Sequence, residues 1–215
     1  MIYAAWLPAA SHKKPHEDGA VQHDAGMRLL EYGLLKQYGI MLKTCRLIKN
    51  KWGKPFLKDY PDIFFNISHC NGLAVCVFGT ASVGIDAECG RKCGESVIKR
   101  VLSAEEYDCL CRECGSDESG RNLEFIRYWT LKESYGKAVG SGMGYDWKAV
   151  TFSRNGQDKA MAKECGTEEV RPWNCSDTEY SAWQTKLCKD SGTYVISVVR
   201  KQKEAFREAI EWCIF

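Results

Sequence analysis

The sequence predicts an α+β fold, and three observations carry that expectation. Strand-like runs come in series: "IFFNIS", "GLAVCVFG" and "SVGIDAE" follow one another between residues 63 and 88. Two segments, "DAGMRLLEYGLLKQY" and "NLEFIRYWTLKESYGKAVG", place apolar residues at helical spacing, one in each half of the chain. The regular strand–helix alternation of a doubly wound sheet is missing. At 215 residues the chain has room for one large domain or two small lobes with a proper core.

Taken in order, Met1 to Leu7 reads as a first strand, and residues 9–23, with Pro15 and Gly19, as a polar loop. Asp24 to Tyr38 is a helix with Met27, Leu30, Leu34 and Tyr38 on one face, stopped by Gly39. "KNKWGKPFLKDYPD" is loop-like, broken by Gly53, Pro55 and Pro61. Three strands follow. Glu95 to Val101 is a short helix, and Ser103 with Glu106 three residues later is a capping box that starts another. Residues 115–121 read as a charged loop before the second long helix, which Gly140 ends. "WKAVTFSR", "SAWQTKLC" and "TYVISVVRK" are strand-like, and "KEAFREAIEWC" reads as a C-terminal helix. There is no internal repeat.

Composition narrows the function classes. Hydrophobic residues are 45% and charged residues 27%, ordinary for a globular protein. A net charge of +2 gives no global field for nucleic acid, so any anion site must be local. The N-terminal apolar run lacks a basic segment before it, and no run approaches a membrane span, so the expectation is a cytoplasmic protein with no membrane partner. Twelve cysteines are many. Cys89, Cys93, Cys109, Cys111 and Cys114 lie closest together, but their spacings are not the paired C-x2-C of a structural zinc site. Cys45, Cys70, Cys76 and Cys188 lie in or beside apolar runs and read as small core residues. Reduced thiols are the preferred reading, with zinc as an alternative.

Four stretches could carry chemistry. Asp86 and Glu88 are two apart in a strand and so point to one face. Such a pair is compatible with a solvated strand end or with a cation between them. Trp129, Glu133 and Lys137 are each four apart and share one helical face. They suit either a surface ion pair or a carboxylate ligand one turn from an ammonium, as a metal-bound phosphate requires. "NKWGKPF" is a small cationic turn with Lys49, Lys51, Gly53 and Lys54. "FNISHC" bunches Asn66, Ser68 and His69 at a strand end. The glycines at 140, 142 and 144 follow a helix and are not a dinucleotide fingerprint.

The order "GKPF", "FNISH", "VGIDAE", "WTLKESYGKAVGSG" resembles the Sfp-type 4′-phosphopantetheinyl transferases, over roughly residues 49–144. The resemblance implies the phosphopantetheinyl transferase fold, a pseudo-dimer of two similar α/β lobes, here 1–90 and 91–215, with the active site in the cleft between them. It implies Mg²⁺ on Asp86, Glu88 and Glu133, and coenzyme A as donor. Coenzyme A would be held by Lys49, Lys51, Gly53, Lys54, Ser68, His69 and Lys137, with Asn66 shaping the strand end and Asp86 reaching it through the metal. Glu133 and Lys137 would be the catalytic pair, and an apo acyl or peptidyl carrier protein the acceptor, served by a monomer. One departure stands out: family members carry basic residues for the 3′-phosphate in the N-terminal segment. Here only Lys13, Lys14 and Arg28 are available there. The rival expectations are a non-catalytic module of the same fold and a zinc-stabilised interaction protein.

Overall fold

The structure is a computed structural model, and it describes residues 1–8, 15–140, 142, 146–154, 169–189, 192–201 and 210–215. It is a mixed α+β fold arranged in four layers. The first sheet has the order β11 (Ile210–Trp212), β1 (Ile2–Trp6), β5 (Leu73–Gly79), β4 (Phe64–Cys70). The second has the order β6 (Val83–Cys89), β10 (Gly192–Arg200), β9 (Ser181–Lys189), β8 (Glu169–Cys175), β7 (Phe152–Arg154). Pairing is antiparallel except between β1 and β11. Each half of the chain holds most of one sheet, with one strand exchanged: β6 joins the second sheet and β11 the first.

Period-two alternation builds the layers. Ile2 and Ala4 of β1 and Leu73, Val75 and Val77 of β5 face Ile85, Ile196 and Val198 in a core between the sheets. Tyr3, Ala5, Ala74, Cys76 and Phe78 face the other way and pack on helix α1 (Pro15–Tyr38) through Ala25, Leu29, Leu30 and Leu34. The outer face of the second sheet packs on α2 (Glu95–Val101), α3 (Ala104–Cys114) and α4 (Glu118–Val139) through residues such as Val199, Trp173, Leu110 and Leu131.

Several local expectations change. Residues 15–23 are helical, with Pro15 at the first helical position, where its missing N–H costs nothing; 9–14 lie outside the described residues. The buried face of α1 is Ala25, Leu29, Leu30 and Leu34, while Met27 is half-buried and Tyr38 exposed. The stretch read as a loop forms a hairpin of β2 (Leu47–Lys49) and β3 (Pro55–Leu57). Helix α4 begins at Glu118, capped by Asp117, so the charged loop is shorter than expected. Only Phe152–Arg154 of the "WKAVTFSR" run is a strand. The expected C-terminal helix is replaced at Ile210–Trp212 by an edge strand, because pairing with β1 satisfies its backbone; residues 202–209 lie outside the described residues. The capping box at Ser103 and Glu106 is present. Among the described cysteines all are free thiols; Cys70 and Cys76 are buried, and Cys45 and Cys188 half-buried.

Candidate active site

The site lies where the edges of the two sheets meet. On β6 the odd-numbered Val83, Ile85 and Ala87 enter the core between the sheets, which turns Gly84, Asp86 and Glu88 toward α4. The free N–H groups of this edge need acceptors. Asn66 Oδ1 accepts from Ile85 N at 2.9 Å, and Ser68 Oγ accepts from Ala87 N at 3.3 Å. The two-residue spacing of Asn66 and Ser68 thus matches the two-residue spacing of the β6 amides. Both side chains are buried and join the sheets in place of backbone pairing.

Gly84 sets how close α4 can come. A Cβ there would lie 2.0 Å from Ser134 O and 2.5 Å from Ala138 N, both backbone atoms that no rotamer change can move. Any side chain would push the helix away from the strand. With glycine, Lys137 Nζ reaches Asp86 Oδ1 at 2.6 Å, Ser68 Oγ at 3.1 Å and Ile85 O at 3.2 Å. Ser68 also donates to Asp86 Oδ1 at 2.9 Å. The second oxygen of Asp86, Oδ2, is buried and has no hydrogen-bond partner.

Glu133 stands one turn before Lys137. Burial, then repulsion from Asp86, raises its carboxyl pKa to about 7, with Lys137 opposing and Glu88 adding to the rise. Burial and Asp86 also raise Glu88, while Arg91 and a hydrogen bond from Trp129 lower it. Trp129 in turn stacks on Trp147, ring centroids 5.3 Å apart. So Trp129, Glu133 and Lys137 do share one half-buried face. Among the described residues, no group of three His, Cys, Asp or Glu side chains stands ready-made as a metal cage. The donor chemistry nevertheless suits a hard divalent cation. Mg²⁺ takes one or two carboxylates and completes its shell with water and phosphate oxygens. A buried, unpartnered carboxylate oxygen beside two repelling acids fits that demand.

The raised Glu133 carboxyl has a consequence for stability. The folded protein holds this proton up to about pH 7, the unfolded chain only to about 4.5. Between those values the folded state binds more protons, so stability falls as pH rises. Glu133→Gln is therefore expected to raise the melting temperature at pH 8 by roughly 2–6 °C, after allowance for solvent screening, and by nothing at pH 4. Thermal unfolding at the two pH values measures it; equal shifts at both would mean that Glu133 is not held protonated.

A cleft of about 390 Å³ opens beside this cluster, lined by Glu133, Gly136, Lys137, Asn66, Ile67, Gly53, Lys54, Pro55, Trp52 and Trp147, with Gly140 and Gly142 at one end. The structure thus brings Gly53, Lys54, Asn66, Glu133 and Lys137 to the lining of one cleft, with Asp86 and Ser68 joined to it through Lys137. Lys49 and Lys51 are exposed and do not line the cleft; Lys51 lies over the Trp52 ring. His69 does not line it either, and its Nδ1 pairs with Gln22 Oε1 at 3.1 Å. Burial, then the Lys137 ammonium, holds His69 below the usual histidine range. Lys13 and Lys14 lie outside the described residues.

Sequence reasoning missed Lys132, which lies in the core. Its ammonium pairs with Glu106 Oε2 at 2.8 Å and donates to Trp147 O at 2.6 Å and Val150 O at 2.8 Å. Glu106, expected only as the capping-box acid, also accepts from Phe152 N at 2.8 Å. The signal available in the sequence was a lysine whose neighbours three and four residues away on the helix, Tyr128, Trp129, Tyr135 and Gly136, are aromatic or small.

The 4′-phosphopantetheinyl transferase superfamily model matches residues 82–199, more than half of the chain and the part that holds β6, α4 and β10. This chain belongs to that superfamily. Among curated phosphopantetheinyl transferases, Sfp of Bacillus subtilis is 30% identical over 144 residues, 66% of this chain and 63% of that protein. The transferase gsp of Aneurinibacillus migulanus is 31% identical over 152 residues, 68% of this chain and 62% of that protein. HetI of Nostoc is 40% identical over a shorter 97 residues, 42% of this chain and 40% of that protein. The match spans about three-fifths of the length of the first two relatives. Among solved structures, holo-[acyl-carrier-protein] synthase of Thermotoga maritima matches at 19% identity over 57% of this chain and 65% of that one, with a TM-score of 0.35.

Proposed function

We propose that this protein is a 4′-phosphopantetheinyl transferase. It moves the phosphopantetheine arm of coenzyme A to a serine of an apo acyl or peptidyl carrier protein and releases 3′,5′-ADP. The observation that carries this reading is the Asp86–Ser68–Lys137 cluster with Glu133 beside it, on the wall of a cleft large enough for part of a nucleotide. The superfamily membership supports it.

In this reading the serine Oγ forms a bond to the β-phosphorus of coenzyme A, and the bond from that phosphorus to the bridging oxygen breaks. The pair of electrons leaves with 3′,5′-ADP. Glu133 takes the serine proton, directly or through a bound water. Lys137 faces the pyrophosphate and offsets charge on the leaving side. Asp86, Glu133 and Glu88 would hold Mg²⁺, which supplies Lewis-acid stabilisation of the phosphoryl oxygens when bound. Ser68 fixes Asp86 and Lys137 against each other, and Asn66 holds the strand edge. Gly53 and Lys54 would lie along the nucleotide end, with Lys49, Lys51 and His69 as further contacts from outside the cleft lining. The two halves act as one unit, a two-lobed pseudo-dimer. A single chain supplies both walls of the cleft, which favours a monomer, and free thiols suit the cytoplasm.

Incubation with an apo carrier protein, coenzyme A and Mg²⁺ tests the reading by intact-protein mass spectrometry. The carrier is expected to gain the mass of one phosphopantetheine group. No gain on acyl or peptidyl carriers from several pathways, at enzyme concentrations equal to the carrier, would overturn it.

A further inference from the structure

The C-terminus of α4 is held by side chains from distant parts of the chain. The last carbonyls of a helix have no intrahelical donor. Here Lys54 Nζ donates to Lys137 O at 2.5 Å, Ser82 Oγ donates to Ala138 O, and Asn50 Nδ2 donates to Gly140 O at 3.4 Å. Lys54 donates a second time, to Val83 O at 3.0 Å, so one ammonium ties the end of α4 to the start of β6. That positive charge also sits at the negative end of the helix dipole.

The turn that presents Lys54 is itself rigidly built. Asn50 Oδ1 accepts from Trp52 N and Lys54 N, both at 2.9 Å, and Asn50 N donates to Lys54 O at 2.9 Å. Gly53 has φ +87°, the left-handed region that lets the chain close this turn. The clamp grips the seam that Gly84 opens. Its geometry therefore decides where Lys137, on the clamped turn, and Glu133, one turn before, stand against Asp86. A rotation of α4 by one residue is about 100° and would carry the Lys137 ammonium off Asp86 altogether.

We propose that Asn50, Lys54 and Ser82 form a clamp on the last turn of α4 and serve as positioning residues that hold Lys137 and Glu133 in register with Asp86. The proposal rests on the transferase reading for the reaction it serves. It gives the cationic turn a second task, since two of the Lys54 ammonium protons are already committed to backbone carbonyls.

Two measurements test it. The first is amide hydrogen exchange of the free protein. In Lys54→Met and in Ser82→Ala, exchange at the end of α4 is expected to rise by about tenfold or more, with α3 unchanged. Unchanged exchange at Gly140 in both variants overturns the clamp, whatever the activity. The second is steady-state transfer. Lys54→Met is expected to lower kcat by about tenfold or more while KM for coenzyme A moves less than about threefold, because a misplaced catalytic turn costs rate rather than affinity. A raised KM at unchanged kcat would make Lys54 a plain ligand contact and overturn the positioning role. In a Lys137→Ala background the Lys54→Met step should cost less than it does in the wild type, since one of the two residues it positions is gone. A full additive loss there also overturns it. If Lys54→Met does not fold, the same readouts on Ser82→Ala decide. Faster exchange together with a wild-type protein that transfers nothing would remove the reaction and leave the clamp standing as a structural device only.

Discussion

Asp86→Asn is expected to reduce transfer on the order of 10³-fold while leaving a folded protein, because it removes one charged oxygen site for the metal and the phosphoryl charge. The substitution is nearly isosteric. Asn Oδ1 can still accept from Ser68 Oγ and Lys137 Nζ, which lie 2.9 and 2.6 Å from the native oxygen. Lys137 keeps its bonds to Ser68 Oγ and Ile85 O and has a side chain 29% exposed, so solvent can take up part of its charge. The thermal midpoint should therefore move little, by no more than about 4 °C. Glu133 would change with it. Asp86 is the largest neighbouring charge raising that carboxyl, so its pKa should drop toward the ordinary range. Transfer rates, thermal unfolding and a pH titration of the variant measure the three effects. An Asn variant within tenfold of wild type would mean that Asp86 holds Lys137 and nothing more.

Some of this was legible in the sequence because short-range periodicity encodes it. Asp86 and Glu88 had to share a face, and Trp129, Glu133 and Lys137 had to share another. Both faces are where the spacing put them. Gly84 carried a signal too, but its meaning needed the partner: only the nearness of Ser134 O and Ala138 N explains why a strand interior carries glycine. Three features lay beyond periodicity. β8 contains Pro172, which argues against an interior strand, yet it pairs with both β7 and β9. The stretch at Ile210–Trp212 has helix-forming neighbours, and a parallel pairing with the first strand of the chain overrides them. The turn at 50–54 read as a cationic loop from its lysines. Its structure commits Lys54 to backbone carbonyls 29 and 83 residues away, which no local pattern could announce.

Lys132→Met is expected to destabilise the protein by about 3–5 kcal/mol, the range for breaking a buried ion pair from one side. At 0% and 1% side-chain exposure, neither Lys132 nor Glu106 can turn to solvent when its partner is lost. The loss reaches three elements at once. Glu106 caps α3 through Ser103 N at 2.9 Å and accepts from Phe152 N, while Lys132 holds the carbonyls of Trp147 and Val150. Methionine fills a similar volume, so a cavity is not the cause; an uncompensated carboxylate and two freed carbonyls are. The double variant Lys132→Met/Glu106→Gln separates these contributions. Glutamine is neutral and keeps an acceptor for Ser103 N or Phe152 N, so it should recover about half of the loss, leaving the carbonyls of residues 147 and 150 as the remainder. Denaturant unfolding of the wild type, both single variants and the double variant closes the cycle. Additive losses in the double variant would show that the two charges do not act as a pair. The same cycle bears on the cleft, because the carbonyl that Lys132 holds belongs to Trp147, whose ring stacks on Trp129. Activity should then fall with stability in Lys132→Met, and the double variant should recover stability further than activity. The carboxylate penalty is relieved there, but the Trp147 backbone remains unanchored.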